Sequence, residues 1–338
     1  MAFRTLGSVL GVLAAFCVLT SGAARSADEK SIVMKITLPT INENVHQYAK
    51  NLAARIEKDS DGRIKGEVYP ASQLGSIPRQ IEGLQFGSIQ VGVIPPEFFS
   101  GIDERFEVMS APGLVGSLEQ GQRVAADPEV QKLMLGLGAN KGLHGAAMFS
   151  ALPSFLVTKS PVRHLSDLKG KKIRILSSDF QTIPYAKLGV TAVAMTLGDV
   201  LPAIQQGAID GAISGMTVFT SMHYNDAAKY VTRTGQPYIF LVTEFSKKWY
   251  EGLPKDLQQV VTNAAKQESV AINPVSIQYF NNAQKEWTER GGELIDLPPD
   301  EQSAMMETLA GAAEEVAKRK PDLQAAFKVV ADAAKRTK

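Results

Sequence analysis

Hydrophobic and polar residues follow two distinct periods along this chain. Residues 33–38 alternate in the two-residue period of a half-buried strand, and residues 63–69 do so again after a turn at Asp61 and Gly62. Between them, apolar residues recur in the helical period over 42–58, on a face formed by Val45, Tyr48, Ala49, Leu52 and Ile56. Strands separated by helices predict an α/β fold around a mostly parallel sheet.

The C-terminal third has a different pattern, which is mostly helical from about Pro254 onward. It predicts helices over 256–269 and 274–290, and a further helix that begins at the prolines of 298–301. The Ala- and Lys-rich segment 310–338 predicts an amphipathic helix on the outside of the molecule.

The first 26 residues have the features of a secretory signal. Arg4 precedes an uncharged apolar run over 6–20, and small residues follow it up to residue 27. This run is too short to span a bilayer comfortably, so we predict a signal peptide at 1–26, cleaved after Ser26, and a periplasmic mature protein. The alternative is an uncleaved anchor. Cys17, the single cysteine of the chain, would leave with the signal, and the mature chain would form no disulfide.

A short internal repeat suggests that the chain consists of two similar halves. Residues 84–93 (LQFGSIQVGV) and 204–213 (IQQGAIDGAI) share a helix end, a glycine suited to a left-handed stop and a short buried strand. Such junctions occur in many α/β proteins. Combined with the export signal and a chain long enough for two domains, the repeat predicts two similarly built lobes with a ligand cleft between them.

Charge and motifs exclude several classes of function. The chain has 36 Lys and Arg; without Arg4 and Arg25, 34 basic residues face 35 acidic ones, with no basic run to bind nucleic acid or an anionic membrane. The mature chain has no cysteine nucleophile, its histidines lack metal-like spacing, and no glycine-rich phosphate loop is present. Ser177 and Ser178 lack the flanking glycines of a nucleophile elbow. We therefore expect no enzyme activity, no metal and no cofactor.

Arg174 is the residue best suited to bind an anion. It follows a tight turn at 167–170, and Ile173 and Ile175 place the opposite face of its strand in a core. A guanidinium binds a carboxylate through two parallel charge-assisted hydrogen bonds and keeps its charge when buried. The alternative is a solvated arginine on an edge strand beside two lysines.

Several motifs in order make the chain resemble a known family. It is similar to the solute-binding proteins of tripartite ATP-independent periplasmic (TRAP) transporters, of the DctP type, over roughly residues 32–300. The resemblance rests on SDGRI at 60–64, YPASQLG at 69–75, LQFG at 84–87, DLKGKKIR at 167–174, KLG at 187–189 and AIQQGAIDG at 203–211. No single motif is strong, but their order and spacing together are specific.

The resemblance implies a two-lobed α/β periplasmic binding protein that closes by hinge motion around its ligand. Lobe I would comprise 27–151 and 240–279, and lobe II 152–239 and 280–338. The protein would capture a small organic acid and deliver it to the small and large membrane subunits of the transporter. We expect a monomer. Two alternatives stay open: an ABC-type periplasmic binding protein, and a secreted enzyme.

The resemblance also proposes site residues. Arg174 would be the carboxylate-clamping arginine of the family. Ser154 lies where many relatives have a second arginine, Ser214 replaces a common amide contact, and Leu197 stands where an aromatic residue is often found. These departures indicate a less polar pocket than that of a sugar-acid binder. The loops at Asn42 and Gln73 are further candidates for ligand contact.

Overall fold

The computed structural model describes residues 31–176 and 178–338. The predicted signal peptide at 1–26, with Cys17, lies outside the described residues. The strands are β1 (Ile32–Thr37), β2 (Ile64–Tyr69), β3 (Val91–Ile94), β4 (Leu143–Thr158), β5 (Lys172–Ile175), β6 (Thr191–Ala194), β7 (Gly211–Gly215), β8 (Tyr230–Thr232), β9 (Tyr238–Ser246) and β10 (Glu293–Ile295). The helices are α1 (Asn44–Asp59), α2 (Ile77–Phe86), α3 (Leu118–Ala126), α4 (Pro128–Met134), α5 (Asp179–Lys187), α6 (Leu197–Gln205), α7 (Met216–Ser221), α8 (Lys247–Gly252), α9 (Lys255–Glu289), α10 (Pro299–Ala317) and α11 (Pro321–Arg336).

The strands form two sheets that share β4. In the first sheet β1 pairs in parallel with β2 and β3, and β9 runs antiparallel between β3 and the N-terminal part of β4. In the second sheet β5 pairs in parallel with β6 and β7, and β7 runs antiparallel to the C-terminal part of β4. We call the elements around the first sheet the first half, and those around the second sheet the second half. The parallel strands and intervening helices predicted from the sequence are present in both halves.

Strand β4 changes partners along its length. Its residues up to Pro153 pair with β9, and its residues from Ser154 onward pair with β7. A long strand shared in this way connects the two halves directly, and its change of partner lies near the predicted lobe boundary between residues 151 and 152. The predicted lobe boundaries stay a prediction, and α11 in the C-terminal segment packs against α3 and α4 of the first half.

Each half has apolar cores on the faces of its sheet. In the first half, Leu52 and Ile56 of α1 pack with Met34 and Ile36 of β1. Close packing of α1 requires Gly66 in β2, because a Cβ atom there would lie 2.6 Å from the Cβ of Ala53. In the second half, the cores form around β4, β5 and β7 beneath α5, α6 and α7.

Helix α9 differs from its prediction. The sequence predicts two helices, over 256–269 and 274–290, whereas the structure has one helix of 35 residues with Pro274 inside it. A proline inside a helix costs about 3 kcal/mol, because it removes one hydrogen bond and crowds the preceding turn. Packing on both sides outweighs this cost: Val261 and Ala265 enter a core of the first half, and Ala283 and Trp287 enter a core of the second.

The C-terminal segment also differs from its prediction. In place of one outer amphipathic helix over 310–338, the structure has α10 and α11, which meet at a turn before Pro321. Ala313, Leu323 and Val330 are buried in a core that contains residues of the first half and Phe180 of α5. Among the described residues, no helix combines the length and the apolar character needed to cross a membrane.

Candidate functional site

A cavity of about 50 Å³ lies between the two halves. Residues just beyond the carboxyl ends of four parallel strands line it: Thr40 after β1, Pro95 after β3, Leu176 after β5 and Thr217 after β7. The shared strand β4 and its neighbour β9 contribute further wall residues. In α/β proteins, ligands bind outside the carboxyl ends of parallel strands, so this cavity is the candidate ligand site.

Arg174 reaches this cavity from β5. Its side chain is 2% exposed, and β5 is paired on both sides, so the interpretation of a solvated edge-strand arginine is wrong. Nε donates to the carbonyl of Met195 at 3.1 Å, and Nη1 donates to the carbonyl of Ile213 at 3.3 Å. Burial lowers the pKa of Arg174 below its ordinary value, because the charged form loses hydration.

The guanidinium has hydrogen-bonding capacity left over. An arginine carries five N–H donors, and among the described residues Arg174 has two hydrogen bonds, both to main-chain carbonyls, and no carboxylate within ion-pair distance. A buried cation without a paired anion is costly. The arrangement is therefore suited to an anion that enters from the cavity and takes the remaining donors.

Two buried carboxyl groups of the first half lie near the site. Glu43 lines the cavity and caps α1: it accepts hydrogen bonds from the main-chain N–H groups of Val45 and His46 and from the hydroxyl of Thr40. Burial raises the pKa of Glu43 above its ordinary value. These contacts explain Glu43 as a structural cap whose carboxylate is largely occupied.

Glu97 lies in the short helix Pro96–Phe99, behind the cavity residues Pro95 and Phe98. It is 4% exposed, and burial raises its pKa to about 7. The charge of Glu107 raises this pKa further, and the charge of Arg174 opposes the shift. Glu97 and Arg174 are therefore electrostatically coupled across the site without forming an ion pair.

Most of the cavity wall is apolar. The side chains that face it include Ile77, Phe98, Leu152, Leu197 and Ile239. The polar residues other than Arg174 are Thr40, Glu43, Asn44, Ser214 and Thr217, and the side chains of all of these except Ser214 have hydrogen-bond partners within the protein. Apolar walls with a single unpaired cation match a small acid whose body is apolar.

One polar contact joins the halves at the cavity wall. Nδ2 of Asn44 donates to the hydroxyl of Ser276 at 3.0 Å, and the hydroxyl of Thr217 donates to Oδ1 of Asn44 at 3.4 Å. These bonds connect the start of α1 with α9 and α7. The contact orders the cavity wall at the junction of the two halves.

The residues proposed from the sequence fall into two groups. Arg174, Leu197 and Ser214 line the cavity. Ser154 is buried in β4 opposite Gly215, outside the cavity lining, and its hydroxyl has no hydrogen-bond partner among the described residues. Their roles in binding stay predictions.

The two loop candidates are exposed. Asn42 lies in a left-handed conformation just before the Glu43 cap, and Gln73 lies in the turn before α2; neither lines the cavity. Sequence reasoning missed Glu43 and Asn44, although both follow the carboxyl end of β1, where ligand-site residues concentrate. In residues 31–176 and 178–338, no group of three or more His, Cys, Asp or Glu side chains is arranged to hold a metal ion.

Comparison with known proteins finds relatives that are similar in sequence and in structure along most of the chain. The C4-dicarboxylate-binding periplasmic protein DctP of Rhodobacter capsulatus is 24% identical over 314 residues, which cover 92% of this chain and 94% of that protein. The TRAP periplasmic solute-binding protein of Desulfovibrio salexigens, solved with bound orotic acid, has a TM-score of 0.86 at 20% identity and covers 91% of this chain and 100% of its own. The sugar acid binding protein DctPAm of Advenella mimigardefordensis strain DPN7T, in complex with galactonate, has a TM-score of 0.87 at 22% identity and covers 92% and 100%.

These likenesses confirm the predicted two-lobed α/β fold. The family model of the bacterial extracellular solute-binding proteins, family 7 (DctP), matches residues 37–320. This match spans most of the 338 residues, and relatives and solved structures agree with it along nearly the whole chain. The chain therefore belongs to the DctP family of bacterial extracellular solute-binding proteins, the type that serves TRAP transporters.

Proposed function

We propose that this protein captures a small monocarboxylate in the periplasm and delivers it, chemically unchanged, to the membrane subunits of a TRAP transporter. The observation that carries the proposal is Arg174: a buried guanidinium with unused donors, at the wall of an apolar cavity between two lobes. Two parallel hydrogen bonds to a carboxylate would use those donors and balance the charge.

The rest of the cavity favours one acid group over two. A second carboxylate on the ligand would lie among apolar walls, without a second cation among the lining residues. Burying an unpaired charge is strongly unfavourable. The relatives named above show the range of the family, with C4-dicarboxylates, orotate and galactonate as ligands of those proteins. For this chain we propose a keto, hydroxy or aromatic monoacid.

A thermal-shift screen tests the ligand class. Each monoacid, such as pyruvate, lactate or benzoate, is paired with its neutral primary amide, and succinate and galactonate are included as a dicarboxylate and a sugar acid. A ligand at 100 times its dissociation constant stabilises the protein by about 2.7 kcal/mol. We expect stabilisation by a monoacid and none by its amide. Tight binding of succinate or galactonate, with pyruvate, lactate, benzoate and the other small monoacids inert, would refute the proposed class.

Export and delivery require separate tests. N-terminal sequencing of the protein from its host is expected to start at residue 27; a terminus at Met1 would contradict a cleaved signal. Uptake of the bound acid into vesicles that carry the small and large permease subunits is expected to depend on an ion gradient and to proceed without ATP. Uptake that requires ATP would favour the ABC-type alternative.

A further inference from the structure

A second contact between the two halves lies away from the cavity wall. The short helix Glu104–Ser110, which belongs to the first half, meets the start of α5 in the second half. Oε2 of Glu107 accepts a hydrogen bond from the hydroxyl of Ser178 at 3.1 Å and another from the main-chain N–H of Asp179 at 2.9 Å. The hydroxyl of Ser110 lies 2.8 Å from that of Ser178.

This contact completes the N-terminus of α5. The first N–H groups of a helix have no partner within the helix. Ser178, the N-cap, accepts from the N–H of Phe180 at 3.1 Å, and Glu107 takes the N–H of Asp179 from the opposite half. A carboxylate at this position also interacts favourably with the positive end of the helix dipole. The contact is therefore charge-assisted, and it joins the two halves.

The position of α5 connects the contact to the ligand site. Helix α5 follows β5, the strand that carries Arg174, and Leu176 in the connection lines the cavity. The N–H of Leu176 donates to Oε1 of Gln181 in α5, at 3.1 Å. A residue that fixes the start of α5 against the first half therefore also fixes the segment next to Arg174.

Phe180 of α5 is buried in an apolar core together with Phe106 and Val108 of the first half, whereas the other charged contacts nearby are exposed and therefore weaker. Arg319 pairs with Asp179 at 3.0 Å, but their side chains are 51% and 60% exposed. Exposed pairs of this kind contribute little. Glu104, three residues before Glu107, pairs with Lys320 on the surface. Of these groups, Glu107 is the most deeply buried carboxylate that spans the two halves.

We propose that Glu107 is a positioning residue that holds the cleft closed by capping α5 from the opposite half. The proposal rests on the two-lobed fold, and its test needs no ligand, so its failure is distinguishable from failure of the proposed function. Proteins of this architecture close by movement of one lobe against the other. A bond between the lobes shifts that equilibrium toward the closed form by its own free energy.

Distance measurements between the halves test the proposal. The mature chain has no cysteine, so Lys65→Cys in β2 and Thr191→Cys in β6, both exposed and on the outermost strands of the sheet order, can carry two spin labels. Pulsed dipolar spectroscopy on the labelled mature protein, without added ligand, gives the populations of short and long distances. We expect Glu107→Ala to lower the ratio of closed to open protein about tenfold, equivalent to about 1.4 kcal/mol.

Two further variants separate positioning from folding. Glu107→Gln keeps an oxygen that accepts both hydrogen bonds but loses the charge, so it is expected to restore part of the closed population. Glu104→Ala, the matched control in the same short helix, is expected to leave the distances unchanged. If Glu107→Ala does not fold, Glu107→Gln against wild type carries the test. Distance distributions that are identical in wild type and the Glu107 variants would overturn the proposal.

Discussion

Replacement of Arg174 by alanine is the most direct test of the ligand site. Arg174 is the one cation that lines the cavity among the described residues, and its guanidinium is buried. In the bound state we expect a carboxylate to be held by its unused donors and to be cut off from water. Removal of the side chain would leave that carboxylate buried and unpaired.

The structure sets the scale of the effect. Breaking a buried ion pair by removal of one partner costs roughly 3–5 kcal/mol. This corresponds to a loss of about two to four powers of ten in affinity. At a ligand concentration 100 times the wild-type dissociation constant, ligand stabilisation would fall from about 2.7 to about 0.4 kcal/mol or less.

The effect on the unliganded protein has opposing contributions. Arg174→Ala removes the donors that satisfy the carbonyls of Met195 and Ile213, and an unsatisfied buried acceptor costs about 1–3 kcal/mol. It also removes a cation whose burial is itself unfavourable, as the lowered pKa of Arg174 indicates. Because these contributions oppose each other, the loss of binding is expected to exceed the loss of unliganded stability.

Calorimetric titration with the monoacid found in the screen, alongside melting curves without ligand, measures both quantities. Arg174→Lys is expected to recover part of the affinity, because an ammonium keeps the charge but cannot form the two parallel bonds. Lys172→Ala is the matched control, an exposed cation two residues earlier in β5, and should bind like wild type. Wild-type affinity in Arg174→Ala would refute the proposal that Arg174 binds the carboxylate of the ligand. A large loss of stability in the absence of ligand would identify Arg174 as a structural residue.

Three further predictions concern acidity and packing. The pKa of Glu97 is raised to about 7 from 4.5, so the native protein binds more protons than the unfolded chain, and stability falls as pH rises through this window. In urea unfolding, the free energy of unfolding of Glu97→Gln relative to wild type should rise by up to roughly 3 kcal/mol between pH 4 and pH 8. A difference in unfolding free energy that stays constant over this range would contradict the prediction. A carboxylate bound at Arg174 would repel Glu97 and raise its pKa further, so binding at pH 7 should take up protons, visible as a buffer-dependent binding enthalpy; equal enthalpies in all buffers would refute the coupling. Gly66→Ala should destabilise the protein by about 1–3 kcal/mol in urea unfolding, because its Cβ would overlap Ala53; unchanged stability would show that α1 shifts freely.

Local elements followed well from the sequence where one period dominated. The strand over 33–38, the helix over 42–58 and the strand over 63–69 match β1, α1 and β2 to within a few residues. The prediction failed at Pro274 because a local rule, that proline ends a helix, was outweighed by packing on two cores. It failed again in the C-terminal segment, where burial of Leu323 and Val330 depends on partners far away in the sequence.

The residues of the candidate site were likewise predictable only where the sequence pattern is local. Strand β5 has a clear alternation, which correctly placed Ile173 and Ile175 in a core and Arg174 on the opposite face. Ser154 could not be placed from its motif, since its orientation depends on how β4 changes partners between the sheets. The role of Asn44 depends on hydrogen bonds to α7 and α9, which no single segment contains, whereas Glu43 caps α1 through contacts within its own segment.

The sequence by itself determined the α/β class, the order of its principal elements, the family and the arginine most suited to an acid, because each depends on local period or on residues close together in the chain. Only the tertiary structure decided which side chains surround the cavity, because it brings together the ends of β1, β3, β5 and β7, which are spread between Thr37 and Gly215 in the sequence. It alone shows Glu107 at the start of α5 and the electrostatic coupling of Glu97 with Arg174. The free energies of such contacts depend on burial and distance across the two lobes, and packing of the whole chain sets both.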